Sequence, residues 1–87
     1  MSIDVRHDTD GRRFVADVDG YEAYLAYGML DDGRVDFRST FSPPELRGRG
    51  VAGKIVAKAL EWARGEGLTV VPSCSYVAKY LERENSQ

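Results

Sequence analysis

The apolar side chains change their period once along this chain, at Pro43-Pro44, and that change limits the fold more than any other feature. Before it, Phe14, Ala16 and Val18 alternate with Val15, Asp17 and Asp19, and Val35, Phe37 and Ser39 alternate with Asp36, Arg38 and Thr40. This is the two-residue repeat of strands with one buried face. After it, Ala52, Ile55, Val56, Ala59, Leu60 and Ala63 recur at three and four, with Lys54, Lys58 and Glu61 opposite, which predicts a helix over 51–63. A sheet-forming front half is therefore followed by a helix with an apolar stripe to bury against it.

Turn residues divide the front half into four strands. Ile3 to His7 reads as a short strand closed by the Asp8-Thr9-Asp10-Gly11 turn, and Asp19-Gly20 offers the positive-φ geometry of a tight hairpin. Tyr21 to Leu30 tolerates a helix at Glu22, Ala23, Leu25 and Ala26, but its place between two glycine turns favours a strand. Asp31-Asp32-Gly33 makes the next turn, and the prolines stop the ladder after a strand over 34–41. Gly65 or Gly67 can supply the left-handed residue that ends the helix. Leu68 to Val71 is an apolar strand suited to the inside of a sheet, and Pro72-Ser73 leads into a last helix of about ten residues with Ser73 as a candidate cap. The expected class is α/β (α+β): four antiparallel strands, a helix, a strand joined in parallel by a right-handed crossover, and a helix.

A chain of 87 residues has room for one domain, 1–87, and buries only about 60 to 65 per cent of its extended surface. A small core, or one shared in a homodimer, is expected. The apolar runs are far shorter than the roughly 20 residues needed to cross a bilayer, and the start MSIDVRHDTD lacks a signal peptide's basic flank and apolar stretch. The expectation is a cytoplasmic protein without membrane contact. One cysteine and one histidine leave no thiolate cluster or zinc site, so no metal is expected. The net charge of −2 gives no overall pull toward nucleic acid, although Arg47, Arg49 and Lys54 form a local positive patch. That patch suits a small anion better than a long polyanion.

The patch lies in PPELRGRGVAGK, residues 43–54, which can be spelled as three phosphate-binding motifs. Gly48, Gly50 and Gly53 match G-x-G-x-x-G, but the preceding strand ends too early, no ribose-binding acid follows, and the chain cannot hold two mononucleotide halves. Gly48, Gly53 and Lys54 match most of a P-loop, but Ile55 stands where a hydroxyl should reach magnesium. The third spelling is R-x-x-G-x-A, from Arg47 through Gly50 to Ala52. Here a helix starts near Val51 with no Ser, Thr, Asp or Asn to cap it, so its free N–H groups, its dipole and two arginines form a site for a pyrophosphate. A plain glycine hinge with solvated arginines, and a basic loop touching nucleic acid, remain open as alternatives on these residues alone.

RGRGVAGKIVAKALEWARGEGLTVVPSCSYVAKYL resembles the coenzyme A-binding half of the GNAT acyltransferase superfamily, in particular its very small stand-alone members. Arg13-Phe14, Asp19-Gly20 and Leu25 to Tyr27 are similar to elements of their front half, so the likeness spans essentially the whole chain. The resemblance implies a GNAT-like mixed sheet, acetyl-CoA as acyl donor, and N-acetyl transfer to a small-molecule or peptide amine. It also implies that the pyrophosphate is held by Arg47, Gly48, Arg49, Gly50, Val51 and Ala52, with Gly53 and Lys54 close behind, and that Phe41 and Ser42 lie beside the pantetheine arm.

Cys74, expected at the N-terminus of the last helix, is a candidate nucleophile because the dipole there favours thiolate; the competing reading is a small residue filling a tight junction. Tyr76 is a candidate acid for the departing thiolate, as a tyrosine in this region is in larger relatives, while Tyr76 and Tyr80 also suit an amphipathic core. His7 reads as a strand residue satisfied in place. Small relatives of this superfamily read H-T-E-V-P ahead of the loop where this chain has Ser39-Thr40-Phe41-Ser42-Pro43, so Ser39 and Phe41 replace a histidine and a glutamate. A non-catalytic acyl-CoA-binding or regulatory module is accordingly the second functional reading.

Overall fold

A computed structural model describes residues 3–85, and its strands run β1 (Val5–Asp8), β2 (Arg13–Val18), β3 (Tyr21–Leu30), β4 (Arg34–Phe41) and β5 (Thr69–Val71). Two helices, α1 (Val51–Gly65) and α2 (Ser75–Asn85), flank β5 in sequence, and a single 3-10 turn, Pro44–Leu46, follows β4. The strands form one mixed sheet in sequence order, antiparallel from β1 to β4 and parallel between β4 and β5. The expected class and element order are therefore observed. The first strand sits later than Ile3 to His7, because its pairing starts at Val5 opposite Ala16 and ends at Asp8 opposite Arg13. α1 continues past Ala63 to Gly65, and Gly67, at φ +70°, is the left-handed residue that turns the chain into β5.

The alternation read in the sequence decides which face is covered. Phe14, Ala16, Val18, Ala23, Leu25, Tyr27, Val35 and Phe37 point to one side, where they meet Ile55, Val56, Ala59, Leu60 and Ala63 of α1 and Val77 of α2 in one core. Each large side chain in it contributes roughly 1.5–3 kcal/mol by leaving water. The helices lie side by side with both N-termini at the C-terminal end of β4: the Tyr76 hydroxyl lies over Gly53, and Arg64 bonds Glu84 at 2.9 Å further along. The opposite face carries no helix among the described residues. There Val15 is buried under an ion-pair lattice in which Arg6 pairs with Asp17 and Glu22, and Arg13 with Asp8 and Glu22. Arg13 also lies over the Tyr24 ring, whose other neighbour is Phe41.

Two irregularities in β4 shape everything that follows. Its pairing with β3 shifts between Tyr27↔Phe37 and Ala26↔Ser39, so Arg38 is an extra residue, a β-bulge. Its pairing with β5 stops at Asp36↔Val71, and Cys74 N–H then closes on Phe37 O at 2.8 Å. From Arg38 to Phe41 the edge of β4 facing β5 has no strand partner.

Candidate coenzyme cleft

The gap beyond β5 opens into a cleft of about 470 Å³ lined by Thr40, Ser42, Leu46, Arg47, Gly48, Gly50, Val51, Ala52 and Tyr76. That is a volume typical of small-molecule sites. Its wall is the phosphate-motif loop, and the loop is anchored from below. Pro44 and Glu45 begin a 3-10 turn that buries Leu46, with Leu46 N–H on Pro43 O at 2.9 Å and Arg47 N–H on Pro44 O at 3.2 Å. Arg47 Nε reaches back to Ser42 O at 3.2 Å and ties the two rims of the cleft together.

Gly48 at φ +79° and Gly50 at φ +76° turn the chain into α1, and no atom beyond the adjoining residues lies within 4 Å of where a Cβ would stand on either. Gly50 is the cap residue of α1, no side chain caps the helix, and no acid occupies its first turn. The first N–H groups of α1 are therefore free donors at the positive end of a helix dipole, set in a loop whose glycines admit close approach. The geometry fits a pyrophosphate.

Of the residues expected to hold the coenzyme, Ser42, Arg47, Gly48, Gly50, Val51 and Ala52 come together around the cleft, whereas Phe41, Arg49, Gly53 and Lys54 do not line it. Phe41 points to the helix-free face against Tyr24, because the bulge at Arg38 fixes which residues of β4 face the helices. Arg49 is held at 2.9 Å by Asp19 in the β2–β3 turn, so its charge is already compensated. Gly53 lies beneath the Tyr76 hydroxyl, and Lys54 is on the α1 face near β1. Thr40 and Leu46 line the cleft and were not anticipated; the only signal for Leu46 was an apolar residue inside a polar loop.

Tyr76 faces the cleft and is 42 % exposed, whereas Tyr80 packs partly buried against the core. Cys74, 9 % exposed, is not among the residues that line the cleft. It replaces Ser73 as the cap of α2, since the Ala78 N–H bonds Cys74 O at 3.0 Å while Ser73 N–H turns back to Val71 O. Its Sγ lies 3.4 Å from Thr40 Oγ1. Burial pushes the thiol up, but the Thr40 hydroxyl and the backbone N–H groups of Val77 and Tyr76 outweigh it, so its pKa falls below the ordinary thiol value. His7 lies elsewhere, stacked on Phe14, edge-on to Trp62, and hydrogen-bonded through Nε2 to the Tyr27 hydroxyl at 2.7 Å. Burial holds it below its usual pKa against the pull of Asp8.

Comparison of the sequence with known proteins points to one family. The profile of the GCN5-related N-acetyl-transferase family matches residues 13–87. Protein NATD1 of Xenopus tropicalis is 32% identical over 83 residues, spanning 93% of this chain and 76% of that protein. Protein NATD1 of Gallus gallus is 33% identical over 82 residues, 92% of this chain and 74% of its own length, and that of Homo sapiens 33% over 82 residues, 92% and 73%. With a family match over residues 13–87 and relatives of 32–33% identity aligned over more than nine-tenths of its length, this chain belongs to the GCN5-related N-acetyl-transferase family.

Proposed function

We propose that the chain is an acetyl-CoA-dependent N-acetyltransferase acting on a primary amine. The observation that carries this reading is the uncapped start of α1 behind Gly48 and Gly50, at the end of a cleft bounded by the unpaired edge of β4. The N–H groups of Val51 and Ala52 and the Arg47 guanidinium would hold the coenzyme's pyrophosphate, and the free edge of β4 at Thr40, with Ser42 just beyond the strand, would receive its arm. Bound there, the coenzyme supplies an activated acetyl thioester. The chain's own contribution is then mainly orientation, worth several kcal/mol when reacting groups are held in line.

Tyr76 lines the cleft at the start of α2, with its hydroxyl over Gly53, and is our candidate to deliver a proton. Cys74 is better suited to positioning: its Sγ fixes Thr40 from behind, and its burial keeps it from direct attack. Titration calorimetry with acetyl-CoA tests the reading. A Kd below about 1 mM, at least about 4 kcal/mol of binding, is expected, and absence of binding by calorimetry and by thermal shift defeats it.

Ser39 and Phe41 favour a second reading, because they supply no titratable group where small members of the family have a histidine and a glutamate. In that reading the cleft binds acyl-CoA without turning it over. Multiple-turnover acetylation of any amine, lost on Tyr76→Phe or on substitution of Gly50, excludes it.

A further inference from the structure

Asp36 Oδ1 is the single buried side-chain oxygen or nitrogen without a hydrogen-bond partner among the described residues. Leaving such an atom unpaired forfeits its hydration without return, most of all for a charged group. Its sister Oδ2 lies 3.6 Å from Arg38 Nε, which is an ion pair but too long for a hydrogen bond. The Asp36 side chain is only 18% exposed and that of Arg38 is 59% exposed, so a solvated cation lies against a sheltered anion.

The floor of this arrangement is Gly28, paired with Asp36 across β3 and β4. The Arg38 guanidinium lies directly over Gly28, in the space a Cβ there would occupy. Arg38, two residues on, lies on the same helix-free face as Asp36. Asp36 is also the last residue of β4 paired with β5, so this slot stands at the vertex from which the strands part. The free edge of β4 runs from the slot to Thr40 and Ser42 in the cleft.

We infer that Gly28, Asp36 and Arg38 form the acceptor subsite: an alkylammonium group displaces the Arg38 guanidinium and donates to Asp36 Oδ1. This rests on the acetyl-transfer reading of the cleft and names its acceptor class, aliphatic amines that are cationic at neutral pH. Displacement is cheap, because the Arg38 guanidinium is solvated and its 3.6 Å ion pair is too long for a hydrogen bond that would have to be broken. An ammonium is also a compact charge with three donors and can reach an oxygen that the planar guanidinium leaves unpaired.

The test uses n-butylamine as probe and n-butanol as its uncharged control, at constant ionic strength, followed by amide and carboxylate NMR shifts. Saturable shifts at Gly28 and Asp36 are expected with butylamine and none with butanol. Asp36→Asn should weaken the amine at least tenfold while leaving acetyl-CoA affinity within twofold. Arg38→Gln should strengthen amine binding threefold or more, and Arg34→Gln, the same charge change on the same strand, should not. The inference is overturned if Arg38→Gln shows no saturable shift at Asp36, or if Arg34→Gln strengthens binding as much. Should the amine bind at Asp36 while acetyl-CoA does not bind at all, the slot stands as a cation site and the acetyl-transfer reading fails.

Discussion

Replacing Gly50 by alanine separates the two consequences of its geometry. The residue sits at φ +76°, where an L side chain costs about 1–2 kcal/mol, and the alanine chain regains about 0.4–1 kcal/mol by having less unfolded entropy to lose. The net loss is about 1 kcal/mol, a fall in Tm of roughly 4–8 °C for a domain of this size. Gly33, at φ +72° with nothing within 4 Å of its Cβ position, lies in the β3–β4 hairpin away from the cleft and should lose the same amount. Only at Gly50 does the added methyl stand at the cleft beside the free N–H groups of α1. Losing one charge-assisted hydrogen bond of about 1.5–3 kcal/mol there weakens acetyl-CoA by about 10- to 100-fold, at about 1.4 kcal/mol per decade. The assay is paired calorimetry and thermal melting of both variants. Equal melting losses with a Kd change confined to Gly50→Ala support the cradle; a Gly50→Ala Kd within twofold of that of Gly33→Ala refutes it.

Three further outcomes are expected. Arg47→Gln should weaken acetyl-CoA more than Arg49→Gln, because Arg47 lines the cleft while Arg49 is engaged by Asp19; a calorimetric ranking in the opposite order contradicts this. Thr40→Val should shift the pH profile of Cys74 alkylation by a small reagent upward, since the Thr40 hydroxyl is the foremost influence holding that thiol down against burial. His7, held below its ordinary value of about 6.5 by burial, binds fewer protons folded than unfolded, so stability should fall as pH drops below about 6.5 toward the folded pKa and be unaffected by His7 above it. Urea titrations at pH 7.5 and pH 5, followed by Trp62 fluorescence, should show that slope, and His7→Phe should remove it.

What could be read in the sequence was whatever depends on nearest neighbours along the chain. Alternation told Phe14 from Val15 and Val35 from Asp36, and the three-four repeat located α1, because each pattern is a local geometric demand of its own element. The glycines of the loop were legible for the same reason. What could not be read depends on pairing between distant segments. The bulge at Arg38 exists only relative to β3, and it carries Phe41 to the helix-free face against Tyr24, outside the lining of the cleft. Arg49 looked free because Asp19, thirty residues earlier, is brought to it only by the turn between β2 and β3. Likewise the cap of α2 shifted from Ser73 to Cys74 because Cys74 N–H is drawn onto Phe37 O of β4, a tertiary bond that sets where the helix begins.

These late-determined features converge on β4. Its first half is paired on both sides and fixes Val35 and Phe37 in the core, so it cannot move without unpacking α1. Its second half is paired on one side, leaving one edge of backbone N–H and C=O groups that a buried strand would not tolerate unpaired. The boundary between these halves is Asp36 to Arg38, where the bulge lies and the orphan carboxylate oxygen is found. One strand thus anchors the core at its first half and borders the cleft at its end. Substitutions that straighten β4, such as deletion of Arg38, should therefore lower coenzyme and amine binding together by moving Thr40 off the helix-facing side, while Asp36→Asn, which leaves the backbone in place, should separate them.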